Sequence, residues 1–294
     1  MASILPQLLA NGICAGALYA VVALGFGIIY RTTRIFHFAH GAVYTAAAYV
    51  TYLFSRSLGA TWPIAIFLAL GGAVASGVLT DVLVYRPIQR RHTSPLAAMI
   101  GSFGVYLLVV NLIALVAGNE TKVLRPGMDV TFQFGTIILT RFQLFGFLSF
   151  VAVVVSFTLF KRTKAGRLLT AFADNPELVE TLGWDTRTIR CAVFAAGSVL
   201  AGVGAIISAL DVGMDPHVGM SALLTAAVAV IVGGVHVLEG GVVGGITLGI
   251  VQSLVVWQLS ARWMDVFTFA ILILFLLFRP QGLLGRETRL EEAV

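Results

Sequence analysis

Residues 161–190 read KRTKAGRLLTAFADNPELVETLGWDTRTIR and decide how the rest of the chain is understood. They place six basic and four acidic residues between two apolar runs, in a chain whose mean hydropathy is +0.96. The pattern predicts two short helices. The first covers about 164–173 and puts Leu168, Leu169 and Phe172 on one face. The second has Asn175 as N-cap, Pro176 at its first position and Gly183 as its stop. On it Leu178, Val179 and Leu182 form an apolar face, with Glu177, Glu180 and Thr181 pointing the other way. A helix of about seven residues does not repay its own nucleation. It must be held, either by the surrounding domain or by another protein, so the loop reads as a basic connector on the membrane surface or as a docking element.

The rest of the chain is oily: 59% of its 294 residues are hydrophobic and 11% charged, against roughly 25% charged in soluble domains. Apolar runs recur at about 8–30, 36–54, 63–85, 96–117, 142–160, 189–210, 221–234, 241–257 and 263–278. This predicts an all-α integral membrane protein of about eight transmembrane helices, forming one domain over 1–294. The shorter runs, about 22 Å as helices, fall below a hydrocarbon core of ~30 Å and are expected to be broken or re-entrant. No polar interval is long enough to bury a separate core. The absence of Lys or Arg before Arg31 argues against a secretory signal, so the first run is expected to be retained. Cys14 and Cys191 stand apart, without metal-ligand spacing.

Charge sets the expected orientation. With the N-terminus outside, 14 of the 19 Lys and Arg residues fall on the inner side and five (Arg56, Lys122, Arg125, Arg141 and Arg262) on the outer. The inner set includes residues 161–190 and, at the C-terminal end, Arg279, Arg286 and Arg289. This topology also accounts for the net charge of +5 without a nucleic-acid partner. In the outer interval 118–141, the alternation of Val130, Phe132 and Phe134 before Gly135-Thr136 predicts a small β-hairpin. Gly12, Gly16 and Ala20, and later Gly241, Gly245 and Gly249, recur four apart, which predicts close helix packing in lipid. The two glycine-rich halves hint at an internal duplication.

Catalytic chemistry is missing from the pattern. The three lysines follow Thr, Phe and Thr, so no P-loop exists, and no HExxH, CxxC or Ser/His/Asp arrangement appears. His37 and His40 can share a helix face, but no carboxylate or cysteine accompanies them, and no metal site is expected. Asp81 and Glu239 fall near inner ends of spans and Asp211, Asp215 and Asp265 near outer ends. No acid lies mid-span, where an ion-coupled carrier would place one. A permease energised by a separate subunit fits better than a membrane enzyme or a stand-alone channel or carrier.

An ordered set of motifs then resembles a known family. AGALYAVVALGFGIIY (15–30), FHFAHGAVYTAAAYV (36–50), YRPIQRR (85–91), AGRLLTAFADNPELVETLG (165–183) and FRPQGLLG (278–285) resemble the permease subunits of branched-chain amino-acid ABC importers, of the LivH type. The resemblance implies that this chain binds no cofactor, ATP and Mg being held by partner ATPase subunits. It also implies a second, LivM-type permease and an extracytoplasmic substrate-binding protein that delivers leucine, isoleucine or valine. Relatives that move urea, amides, sugars or aromatic acids remain the alternative. The family's coupling loop maps by spacing onto Glu177-Leu178-Val179 and Gly183, with Leu182 completing the apolar face and Arg167 and Glu180 as polar contacts. Leu178 and Val179 stand where that loop has two alanines, and His37 where the family commonly has Asn. His37, His40, Gly41, Tyr44, Gly233, Gly234, Gly241 and Gly245 are the residues expected to line the path.

Overall fold

The computed structural model describes residues 4–91, 94–124 and 129–285; Arg125, Arg286 and Arg289 of the charge count lie outside the described residues. In chain order the elements are α1 (Leu5–Thr33), α2 (Ala39–Tyr52), α3 (Trp62–Thr80), α4 (Arg86–Arg90) and α5 (Pro95–Ala117). The hairpin β1 (Thr131–Phe134) and β2 (Ile137–Thr140) precedes α6 (Arg141–Arg162), α7 (Lys164–Asp174) and α8 (Pro176–Thr181). Then come α9 (Thr186–Asp211), α10 (Val218–Gly233), α11 (Gly240–Gln258) and α12 (Met264–Phe278). Among the described residues, seven helical stretches are long and apolar enough to cross a membrane, and α10 is a shorter apolar helix. The run at 241–257, expected to be short, becomes a 19-residue helix of crossing length.

The predicted hairpin is present. Thr131 pairs with Thr140 and Phe134 with Ile137, leaving Gly135-Thr136 as a two-residue loop with φ +63° at Gly135, a conformation in which glycine carries no steric penalty.

α1 is the axis. Burial reaches 72% of its most apolar window, against 6% for α6 and for α12. The glycine stripes explain how its neighbours come so near. A Cβ on Gly249 would lie 2.3 Å from the Gly12 carbonyl oxygen and 2.4 Å from Gly16 Cα, and one on Gly245 would lie 2.6 Å from Ala20 N. α1 and α11 therefore meet backbone to backbone, which only hydrogen side chains permit.

The run at 36–54 departs from a single span. Arg34 takes a left-handed φ of 57° and ends α1, residues 35–38 are not helical, and α2 is only 14 residues long before a π-helical turn at Leu53–Ser57. The freed backbone is satisfied from α5: Ser102 Oγ accepts from Phe38 N–H (3.1 Å) and lies within bonding reach of the Phe36 (3.3 Å) and Met99 (2.9 Å) carbonyls. The second half repeats the arrangement. α9 ends at Asp211, a non-helical link follows, and the short, buried α10 starts against the first turn of α2, where a Gly219 Cβ would sit 2.0 Å from the Gly41 oxygen.

Ion pairs fix the end of the bundle that carries α7 and α8. Arg31 at the end of α1 binds Asp174 of α7 at 2.8 Å, and Lys161 of α6 binds Glu239 ahead of α11. Asp81, fully buried in a π-helical turn between α3 and α4, accepts from Arg86 Nε (2.9 Å) and Arg190 Nε (2.6 Å). Both guanidinium groups are needed, because a buried carboxylate without partners is costly.

Two outcomes follow from this packing. Gly249→Val should destabilise the detergent-solubilised chain by at least about 1–3 kcal/mol, whereas Gly72→Val, where no atom lies within 4 Å of the built Cβ, should leave the unfolding temperature nearly unchanged. The second concerns pH. Burial works against the Glu239 carboxylate, but the Lys161 ammonium, a backbone N–H and the Arg31 charge together outweigh it and hold the pKa below its ordinary 4.5. The pair then contributes stability above that value and loses it as pH falls through the lowered pKa. The gap in unfolding temperature between the native chain and Glu239→Gln should be present at pH 7 and close below pH 4.5.

Candidate functional site

The loop after α6 is built by local capping. Thr163 Oγ1 accepts from Gly166 N–H (3.1 Å) to start α7, and Asn175 Oδ1 accepts from Leu178 N–H (3.0 Å) to start α8. Gly183, with φ +85°, turns the chain out of α8 into α9. α7 sinks Phe172 and Ala173 into the protein, with Leu169 packed at the edge of the core.

The expected apolar face of α8 divides. Val179 is 2% exposed and anchors α8 to its own chain, so it is removed from the set expected to reach a partner. The reason is length: a six-residue helix has no stability of its own and spends one apolar side chain on attachment. Leu178 (55% exposed) and Leu182 (69%) face outward, joined by Trp184 (54%). Glu177, Glu180, Arg167 and Gly183 are exposed around them. Three large apolar side chains standing out among charges, at the end of the bundle, are the signature of an interaction surface. Trp184 was legible as the one aromatic after Gly183 in a polar interval.

The residues expected to line a path sit in the interior of the chain. His37, His40, Gly41, Tyr44, Gly233, Gly234, Gly241 and Gly245 are all buried inside the chain and not on a surface that a second subunit could share. His37 Nδ1 lies 2.5 Å from Tyr85 Oη, and both rings pack edge-on or tilted against Phe194. Gly41, Gly241 and Gly245 serve helix contacts, a Gly241 Cβ meeting Ala23 at 3.2 Å. Gly233 and Gly234 join α10 to the C-terminal segment, where Leu283 and Leu284 N–H groups donate to the Val232 and Gly233 carbonyls. Tyr44 alone of the set borders open space, a cleft of about 150 Å³ shared with Asn11, Tyr19, Gln143, Ser208 and Asp211.

Sequence reading missed Asn111, the polar residue on the outward face of α5. That face is otherwise Phe103, Gly104, Leu107, Leu108 and Leu112, all exposed. Its carboxamide nitrogen donates to the Leu107 carbonyl at 2.7 Å, and no atom lies within 4 Å of a Cβ built on Gly104.

Comparison with known proteins agrees with this architecture. A solved structure, PsaBC from Streptococcus pneumoniae in complex with Fab, superposes with a TM-score of 0.55 at 13% identity, covering 94% of this chain and 93% of that one. The likeness is one of fold. In sequence, the chain is 28% identical over 295 residues to the high-affinity branched-chain amino acid transport system permease protein BraD of Pseudomonas aeruginosa. It is equally similar to the LivH permease protein of Escherichia coli K12, with 95% of each chain covered in both comparisons. Residues 8–276 match the family model described as branched-chain amino acid transport system / permease component. The chain is a multi-pass membrane protein that belongs to this permease family.

Proposed function

We propose that this chain is one membrane-spanning subunit of an ATP-driven importer for branched-chain amino acids, with the Leu178–Leu182–Trp184 patch docking an ATPase subunit. The exposure of that patch carries the reading. An oily surface on a separately capped helix, tied by Arg31–Asp174 to the central α1, suits transmission of a partner's movement to the bundle. Arg167, Glu177 and Glu180 supply the polar rim, and Gly183 the turn that presents it. ATP and Mg would be held by that partner, since this chain carries no phosphate-binding loop.

The charge bias puts α7 and α8 on the cytoplasmic side and the hairpin outside, with the N-terminus outside and the C-terminus inside. The hairpin side then receives substrate from an extracytoplasmic binding protein. The outward face of α5 is the surface on which a second permease subunit would complete the path. In hydrocarbon, an exposed glycine favours close helix approach and an exposed carboxamide favours a polar partner. Leucine, isoleucine and valine are the substrates named for the relatives.

The test separates docking from folding. Leu178→Asp with Leu182→Asp should abolish co-purification of the ATPase while leaving the unfolding temperature unchanged, because both side chains point to solvent. Val179→Asp should instead destabilise the chain itself, by burying a charge without a partner. Retention of the ATPase by the double variant would overturn the docking assignment. Competition of unlabelled leucine, urea and an aromatic acid against labelled leucine uptake checks the substrate class, with inhibition by leucine alone of the three expected.

A further inference from the structure

α6 comes closest to the bundle at Gly146. Gly146 is its one buried residue, and a Cβ there would lie 3.1 Å from Leu18 Cδ2 and 3.2 Å from Ile207 Cγ2. Toward α7 the helix stands away from α9, leaving a groove of about 870 Å³ walled by parts of residues 152–160 and 189–200. Ile28 of α1 forms the back, Ala192 and Ala196 open the floor, and Leu168 and Trp184 close the end. At 1.5 Å per residue the walls run about 12–16 Å, or half of a ~30 Å hydrocarbon core. The groove is thus about one leaflet deep, too short for a crossing helix.

The rim carries charge. Lys164, Arg167 and Arg187 are sequence neighbours of lining residues and Arg162 is two positions from Phe160; all four are exposed, and none has a side-chain ion pair among the described residues. Asp185, the acid at the rim, is occupied: its carboxylate accepts from Thr188 Oγ1 (2.5 Å) and Arg187 N–H (3.0 Å). Water gains little in so apolar a space, and an excess of cations over the one acid at the rim favours a negative headgroup.

From this geometry we propose that the groove seats one acyl chain of an anionic glycerophospholipid, its phosphate held by Arg162, Lys164 and Arg187. The lipid packs beneath α7 and Trp184 and wedges α6 against α9, filling space that this chain leaves open. The inference rests on membrane residence and not on the ATPase-docking reading.

Trp184 supplies the probe. The other three tryptophans, Trp62, Trp257 and Trp263, lie at the hairpin end of their helices and are replaced by Phe. The full chain is placed in nanodiscs with a small, equal fraction of acyl-brominated phosphatidylglycerol or phosphatidylcholine. Brominated phosphatidylglycerol should quench Trp184 several-fold more strongly. Ala192→Phe with Ala196→Phe, which fills the floor, should remove most quenching by either lipid. Arg162→Gln with Lys164→Gln and Arg187→Gln, which touches no packing, should make the two lipids equal. Equal quenching by both lipids in the unfilled chain, or undiminished quenching in the filled one, would overturn the proposal. So would a protein cross-link captured in the groove from the Ala196→Cys variant of the intact complex.

Discussion

Everything in this fold depends on how closely other backbones approach α1. In hydrocarbon, apolar area alone gives two helices no reason to prefer each other over lipid, so contact must come from close packing. The Gly12–Gly16 stripe of α1 against the Gly245–Gly249 stripe of α11 gives that contact, and Gly25 against Gly197 of α9 repeats it on another side. With two long helices drawn onto α1, the short α2 and α10 are enclosed, and their broken starts are shielded from lipid. The glycines thus make the interruptions tolerable as well as the packing tight.

The interruptions also bring polar groups inside, and several of these meet named partners, while both ring nitrogens of His40 and Nε2 of His37 are buried without a hydrogen bond among the described residues. Ser102 closes the turn before α2, Tyr85 meets His37, and Asp81 takes two arginines. Arg190, which completes the Asp81 pair, begins α9 directly after the exposed loop. The same residue therefore belongs to the buried network and to the element that follows the docking patch. A displacement of α8 acts on the start of α9 at a point fixed electrostatically to the α3–α4 helix, not on a free tether.

Much of this was legible in the sequence because it follows from local rules. Asn175, Pro176 and Gly183 mark α8 by capping chemistry that needs no tertiary partner, and Gly135-Thr136 marks the hairpin in the same way. The glycine stripes announce close packing, although one sequence does not say which stripe meets which. The sequence is less telling where tertiary burial decides. Val179 looks like Leu178 and Leu182 on a helical wheel, and only the position of α7 and α9 determines which side chain points inward. His37, His40 and Tyr44 read as path residues because polar groups in an apolar run are conspicuous, and nothing in their spacing says that the fold buries all three. Asn111 shows the converse, a polar residue unremarkable in sequence that the fold leaves on an outer face.

The division between inside and outside also says where the chain can change shape. α1, α2, α9, α10 and α11 are locked through backbone contacts that admit no extra atom, so they move as one body if they move at all. α6 has a single tight contact at Gly146 and a pair from Lys161 to Glu239 at its far end. Between them Phe157 packs at the edge of the core beside the groove, and α7 and α8 continue directly from the end of α6. On the proposed docking reading, a partner pressing on Leu178, Leu182 and Trp184 would meet a rigid core through Arg31–Asp174 and a looser strut through α6. An acyl chain in the groove, as proposed, would stiffen that strut and so raise the share of the applied movement that reaches the core.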